Sequence, residues 1–147
     1  MVRAYVQVSK MCLQAFCIDT GRAHYFLPFL RSTTLLDPDA PDPRAPKMTW
    51  VHWVLYNISP TETGLDEGVG ASSSSSSFAA AQNDWKQSGY GGPSPPRGRH
   101  RYFHKLYALD CMLPDLGHKA TKATLMNAMQ GHVIGQTELI GTYQKAS

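Results

Sequence analysis

The 147-residue chain is predicted to be a mainly β fold with one short helix near its C-terminus, on three observations. Residues 50–58 form an unbroken run of aromatic and branched residues, the pattern of a strand buried on both faces. Residues 100–109 alternate strictly, with His100, Tyr102, His104, Leu106 and Ala108 on one face and Arg101, Phe103, Lys105, Tyr107 and Leu109 on the other. Leu125, Ala128, Met129 and His132 follow Thr121 at helical spacing, so a short amphipathic helix is expected over 122–131.

Residues 1–34 show no clean period and are set apart as a divergent N-terminal segment ahead of a single domain at 35–147. Within that segment 25–30 is strongly apolar but broken by Pro28, which suits an edge strand or a loop. Residues 37–47 hold Pro38, Pro41, Pro43 and Pro46 and read as a loop. In the strand at 50–58, simple alternation puts His52 on the same side as Trp50, Val54 and Tyr56. The six serines at 72–77 read as a flexible loop insertion. Residues 89–98 are a Gly/Pro-rich loop that allows close backbone approach. Thr121 is a good N-cap, Gly131 can help end the helix, and 137–143 is a last strand.

Apolar residues make up 42% of the chain and charged residues 17%, a globular balance long enough for a core. The net charge is only +3, so nucleic acid is not an expected partner. The local basic group Arg97, Arg99, Arg101 and Lys105 suits a collar for an anionic ligand, or simply a solvated surface. Three cysteines, Cys12, Cys17 and Cys111, argue against a disulfide framework, and no Cys/His pair has zinc-finger spacing. The opening residues do not read as a signal peptide, and no apolar run approaches the ~20 residues of a membrane span. A soluble, cytoplasmic protein is expected.

The candidate chemistry lies in the polar residues on or beside the two strands. A lone core histidine is usually just hydrogen-bonded. Here two strands each bring a histidine inward, and a proline-rich loop precedes each. Three chemical uses are open to this set. Imidazoles, the Tyr102 phenol and loop amides near Ser94 can capture an anion, with Asp39 orienting an imidazole or meeting a ligand amine. Asp39, His52 and His100 could ligate zinc or iron, but they are scattered and no metal is expected. Ser94 could be a nucleophile, but Gly92-Pro93-Ser94-Pro95-Pro96 is not a nucleophile elbow, so no catalysis is expected. His104 and His118 read as surface or loop residues, and His132 as packed on the apolar helix face.

At these residues the sequence resembles the phosphatidylethanolamine-binding protein family, in its bacterial and archaeal Raf-kinase-inhibitor-like branch. The matching text is Asp37-Pro38-Asp39-Ala40-Pro41, the stretch from His52 to Ile58, Asn83-Asp84-Trp85, Gly91-Gly92-Pro93-Ser94-Pro95-Pro96, His100-Arg101-Tyr102 and Ala108-Leu109-Asp110. Ala128-Met129-x-Gly131-His132 and Leu139-x-Gly141-Thr142-Tyr143 continue it. The resemblance implies an antiparallel β-sandwich with Greek-key connections and a helix near the C-terminus, with N-terminal strands divergent or incomplete. It implies a pocket for phosphate-type anions, including the phosphoethanolamine head group, lined by Asp37, Asp39, His52, Ser94, His100 and Tyr102. Members of the branch usually carry cysteine where Ser94 stands, so a thiol role is not implied.

The reading that results is a binding protein without a cofactor that holds a small phosphate-bearing ligand or phospholipid head group and does not turn it over. The alternative is an interaction module that inhibits a kinase or protease. His52, His100 and Tyr102 are expected to hold the anion, and Arg101 to pair with Asp37. With histidines near an ordinary pKa of ~6.5, affinity is expected to rise as pH falls toward 6.

Overall fold

The fold is described from a computed structural model, in which residues 30–62, 64–65, 69, 74–75 and 77–146 are placed. Residues 1–29 lie outside the described residues, and with them nearly all of the apolar 25–30 stretch. The elements are β1 (Leu30–Ala40), β2 (Met48–Ile58), β3 (Ser74–Ser75), β4 (Phe78–Ala80), β5 (His100–Leu109), α1 (Lys122–Ala128) and β6 (Val133–Tyr143).

All the strands form one sheet in the order β3-β4-β2-β1-β5-β6, and every neighbouring pair is antiparallel. Within it the order β5-β1-β2-β4 is a Greek key once the two-residue edge strand β3 is set aside, since β5 returns to the free side of β1. The mainly β architecture, the key and the short helix agree with the sequence reading. Among the described residues there is one sheet rather than two.

Its two faces carry separate cores. Leu36, Val51, Val54, Tyr56, Tyr107 and Leu109 meet Leu125 and Met129, so α1 lies on this first face. The second face gathers Leu35, Trp53, Leu55, Ile58, Phe78 and Tyr102. β5 follows simple alternation: Tyr107 and Leu109 belong to the first face and Tyr102 to the second.

β2 does not. Leu35 is opposite Trp53 but Leu36 is opposite Val51, so His52 is an extra residue in the ladder. Such a bulge shifts the alternation by one. Val51 and Val54, three apart, therefore share the first face, and His52 lies on the second beside Tyr102 rather than with Val54 and Tyr56.

Other boundaries also moved. β1 runs on to Ala40, through the first four residues of the stretch read as loop, and the connection to β2 is only 41–47. Pro38 is tolerated because it falls in the register shift between Asp37 and Ala40, where no ladder bond is lost. Ser74–Ser75 pair with β4 instead of lying in a loop. β6 begins at Val133, four residues before the expected strand, because β5 offers partners as far as Leu109.

The helix starts as expected. The Thr121 side chain accepts from the Thr124 N–H, and the Thr124 hydroxyl accepts from the Thr121 N–H, closing a capping box. It ends at Ala128 with Met129 as C-cap, and Gly131 beyond it has φ +83°, a backbone that suits glycine. His132 thus lies past the helix and is exposed, not packed on its apolar face. Among the described residues no helix is long and apolar enough to cross a membrane.

Leu125 is fully buried and couples α1 to the sheet. Leu125→Ala is expected to lower unfolding free energy by about 2–5 kcal/mol. Met126→Ala, at a residue 39% exposed, should change it by under about 0.5 kcal/mol. Chemical denaturation of both variants checks this; equal effects would show that α1 does not pack through Leu125.

Candidate anion-binding site

The site is built where the β1–β5 ladder stops. Its last pair is Leu36 with Phe103. Beyond that point the two strands are joined by side chains. Asp39 Oδ2 accepts from the Arg101 backbone N–H at 2.9 Å and from Arg101 Nε at 2.9 Å, while Oδ1 accepts from Nη2 at 2.6 Å. Asp37 Oδ1 accepts from the Asp39 N–H at 2.9 Å, and Oδ2 accepts from His100 Nδ1 at 2.7 Å. Both acids and His100 are buried.

This reverses the expected pairings. Arg101 grips Asp39 rather than Asp37, and Asp37 rather than Asp39 holds a histidine. The reason is local. Arg101 and His100 point to opposite faces of β5, and the register shift after Asp37 lets the two carboxylates reach opposite sides. Paired with Asp39, Arg101 keeps that carboxyl below its ordinary range through its side-chain hydrogen bonds.

His100 Nε2 lies 2.8 Å from the Arg97 carbonyl. With a carboxylate on one nitrogen and a carbonyl on the other, both are satisfied only when both carry protons. Both ring nitrogens of His100 are thus engaged within the protein.

His52 is oriented from the other side. Its Nδ1 donates to the Gly91 carbonyl at 2.8 Å, and the Gly91 N–H donates to the His52 carbonyl at 3.0 Å. Burial pushes its pKa down from 6.5. The neutral ring, with its proton on Nδ1, leaves Nε2 as an acceptor. The pH expectation therefore needs correction for this residue: it does not begin to charge near 6.5.

Trp85 covers this ring edge-on at 5.0 Å and meets Trp50 at 5.4 Å. The turn that presents it is tied to β2, since Asp84 Oδ2 accepts from the Val51 N–H and the Asp84 N–H donates to the Val51 carbonyl. A methyl group at Gly91 would run into the Trp85 ring, so glycine is required there by close approach.

Tyr102 lies between the two histidines, edge-on to His52 at 5.3 Å and roughly parallel to His100 at 6.5 Å. It is 1% exposed, and its hydroxyl has no hydrogen-bond partner among the described residues. Burial, then the nearby Asp37 carboxylate, pushes its pKa up, so it remains a neutral donor.

Four of the six candidates, Asp37, His52, His100 and Tyr102, are thus brought together. Asp39 is committed to Arg101 at the margin. Ser94 is exposed and makes no hydrogen bond among the described residues. Asp39, His52 and His100 do not form a ligand cluster. The sequence reading missed His104, which is buried on the same face rather than at the surface, its pKa lowered by burial and then by His52. Its even spacing from His100 and Tyr102 was the available signal. His118 is exposed as expected.

This arrangement is a cluster of buried polar side chains at one end of a β-sheet face, and the comparisons say which family builds it. A family model described as phosphatidylethanolamine-binding protein matches residues 32–144. A UPF0098 protein of Methanothermobacter thermautotrophicus is 48% identical over 105 residues, covering 71% of this chain and 69% of that one. Another from Chlamydia trachomatis is 41% identical over 111 residues, covering 74% and 69%. A Chlamydia trachomatis protein crystallised as a phosphatidylethanolamine-binding protein homolog superposes with a TM-score of 0.68 at 38% identity, covering 80% and 73%. Escherichia coli YbcL, whose structure is titled as a new member of the mammalian family, gives 0.69 at 26% identity, covering 81% and 73%. The chain belongs to the phosphatidylethanolamine-binding protein family.

The Asp39–Arg101 pair sets a pH dependence. A carboxyl whose pKa is lowered on folding contributes stability in full above the unfolded value of ~3.9 and loses it as pH falls through the folded value. The stability difference between the wild type and Asp39→Asn should be constant from pH 7 to about 5 and shrink below ~3.9. Denaturant melts across that range test it, and a difference that does not change with pH would refute the pairing.

Proposed function

We propose that this chain is a binding protein for small phosphate-type anions, including phosphoethanolamine head groups, that acts in the cytoplasm and does not turn its ligand over. The observation that carries the reading is the Tyr102 hydroxyl. A buried donor without a partner costs about 1–3 kcal/mol, a cost that bonding to a ligand removes. A phosphate oxygen bonded to it would sit between the rings of His100 and His52. His100 and Asp37 serve as the fixed, charged floor, since both nitrogens of His100 are already bonded within the protein. Arg97 and Arg99 are exposed in the adjoining loop and favour approach of an anion.

His52 makes binding proton-linked. Its Nε2 accepts in the neutral ring and donates to an anion only when protonated. Because burial lowers its free pKa, a bound anion that raises it draws a proton onto the ring. Affinity then rises as pH falls, and continues to rise below 6.5 until the lowered free value is reached.

The absence of turnover is supported by Ser94, which is exposed and hydrogen-bonds neither histidine. Inhibition of a kinase or protease is a second reading, favoured by Trp85 and Tyr90, each 43% exposed at the rim of the pocket.

The test uses glycerophosphoethanolamine, a phosphodiester whose charge is constant over the range. It should raise the Tm of the full chain, more at pH 6 than at pH 8. His52→Gln should remove the pH dependence. Tyr102→Phe should weaken binding by roughly 10-fold or more, while leaving the stability of the free protein unchanged or higher. No shift in a cooperatively melting protein would overturn the anion reading and favour the interaction module. A destabilised Tyr102→Phe protein would show that the hydroxyl is structural.

A further inference from the structure

β5 and β6 are neighbours joined through α1, so the residue after β5 and the residue before β6 come together at one end of the sheet. Those residues are Asp110 and His132. They are 22 apart in sequence, yet the Asp110 N–H donates to the His132 carbonyl at 3.1 Å and His132 Nδ1 lies 2.9 Å from Asp110 Oδ1. Cys111 follows directly. One ligand atom from each of Asp110, Cys111 and His132 lies within 4.8 Å of the other two. The Asp110 and His132 side chains are 50% and 46% exposed, so the cluster is open to solvent.

We infer that Asp110, Cys111 and His132 form a binding site for a divalent cation of the zinc class. A thiolate, an imidazole and a carboxylate are the ligand types zinc takes, at about 2.0–2.3 Å, which places ligand atoms roughly 3.5 Å apart. The ligand atoms lie within 4.8 Å of one another, and the metal draws them in to that spacing. The ion replaces the proton now shared by His132 and Asp110, and the thiol of Cys111 gives up its own. The fourth tetrahedral position faces solvent. Sulfur and nitrogen ligands favour zinc, cobalt or copper over magnesium and calcium.

The backbone holds the ligands in place beforehand. The β5–β6 ladder reaches Leu109 and Val133, and Met129 is buried beneath the turn that leads to His132. No ligand motif marks the site in sequence, because its third member arrives only through the crossover. It is also separate from the anion pocket: His100 and Asp110 are at opposite ends of β5, about 30 Å apart at ~3.3 Å per residue.

The test is Co2+ titration of the full chain under reducing conditions, in a Cys12→Ser/Cys17→Ser background so that Cys111 is the thiol observed. One equivalent should produce a thiolate-to-cobalt charge-transfer band and tetrahedral visible absorption, both displaced by Zn2+. Cys111→Ser should abolish the charge-transfer band. His132→Gln and Asp110→Asn, each first shown to melt cooperatively, should weaken binding by at least the roughly 10–100-fold that changes around a metal cost. A folded protein that shows no band, or a band that survives Cys111→Ser, overturns the inference. So does unchanged affinity in both His132→Gln and Asp110→Asn.

Discussion

Backbone pairing between β1 and β5 ends at Leu36 and Phe103, yet the strands continue side by side for three more residues of β5. The amide of Arg101 and the Nδ1 of His100 would be left without partners there. The carboxylates of Asp37 and Asp39 take them. Each acid acts as an acceptor where the ladder has already stopped, and the two neighbours of Pro38 in the Asp-Pro-Asp sequence continue the connection through side chains. The bridge is charge-assisted on both sides, which makes its bonds short and strong. His100, Tyr102 and the loop that ends at Arg99 all depend on it for position.

Around this bridge the pocket is held by opposing demands. His100 is held with both nitrogens bonded, so it contributes charge and rigidity more than a free donor. His52 is buried and neutral, clamped to Gly91 and covered by Trp85, with one nitrogen left for exchange with a ligand. Tyr102 stands between them with a polar atom that nothing described in the protein satisfies. Other buried side-chain atoms, Thr34 Oγ1 and Trp53 Nε1 among them, share that condition, and the Tyr102 hydroxyl is the one that belongs to a ring between two imidazoles.

Much of this was legible in the sequence. Strict alternation over residues 100–109 placed His100 and Tyr102 on one face correctly, and the Thr121 cap and apolar spacing located the helix. The motif text carried the family, which the matched relatives bear out. What was not legible has common physical causes. The bulge at His52 is a one-residue insertion with no glycine to mark it, and it inverted the assignment of Val54 and Tyr56. The four prolines suggested a loop because the side chains that replace lost ladder bonds are invisible to a propensity argument. The exchange of partners between Arg101 and His100 follows from that same irregularity. His104 was read as exposed because histidine usually is, although its parity with Tyr102 pointed inward. The meeting of Asp110 with His132 needs the β5–β6 adjacency, a long-range fact.

Among the described residues β6 is an edge strand, eleven residues long, and Val133, Ile134, Leu139 and Ile140 are 41–48% exposed on it. Glu138 faces Lys105 across the edge at 3.5 Å, one of the charged devices that discourage edge pairing. The pocket lies across β1, β2 and β5, in the interior of the sheet, so its geometry depends on the Asp37–His100 bridge rather than on that edge. A double-mutant cycle on unfolding free energy, with Asp37→Asn, His100→Gln and the pair, measures the bridge directly. A coupling of about 1.5–3 kcal/mol is expected for a buried charged hydrogen bond. Additivity within about 0.5 kcal/mol would mean that the two side chains do not support each other, and the bridge would not be what holds the pocket.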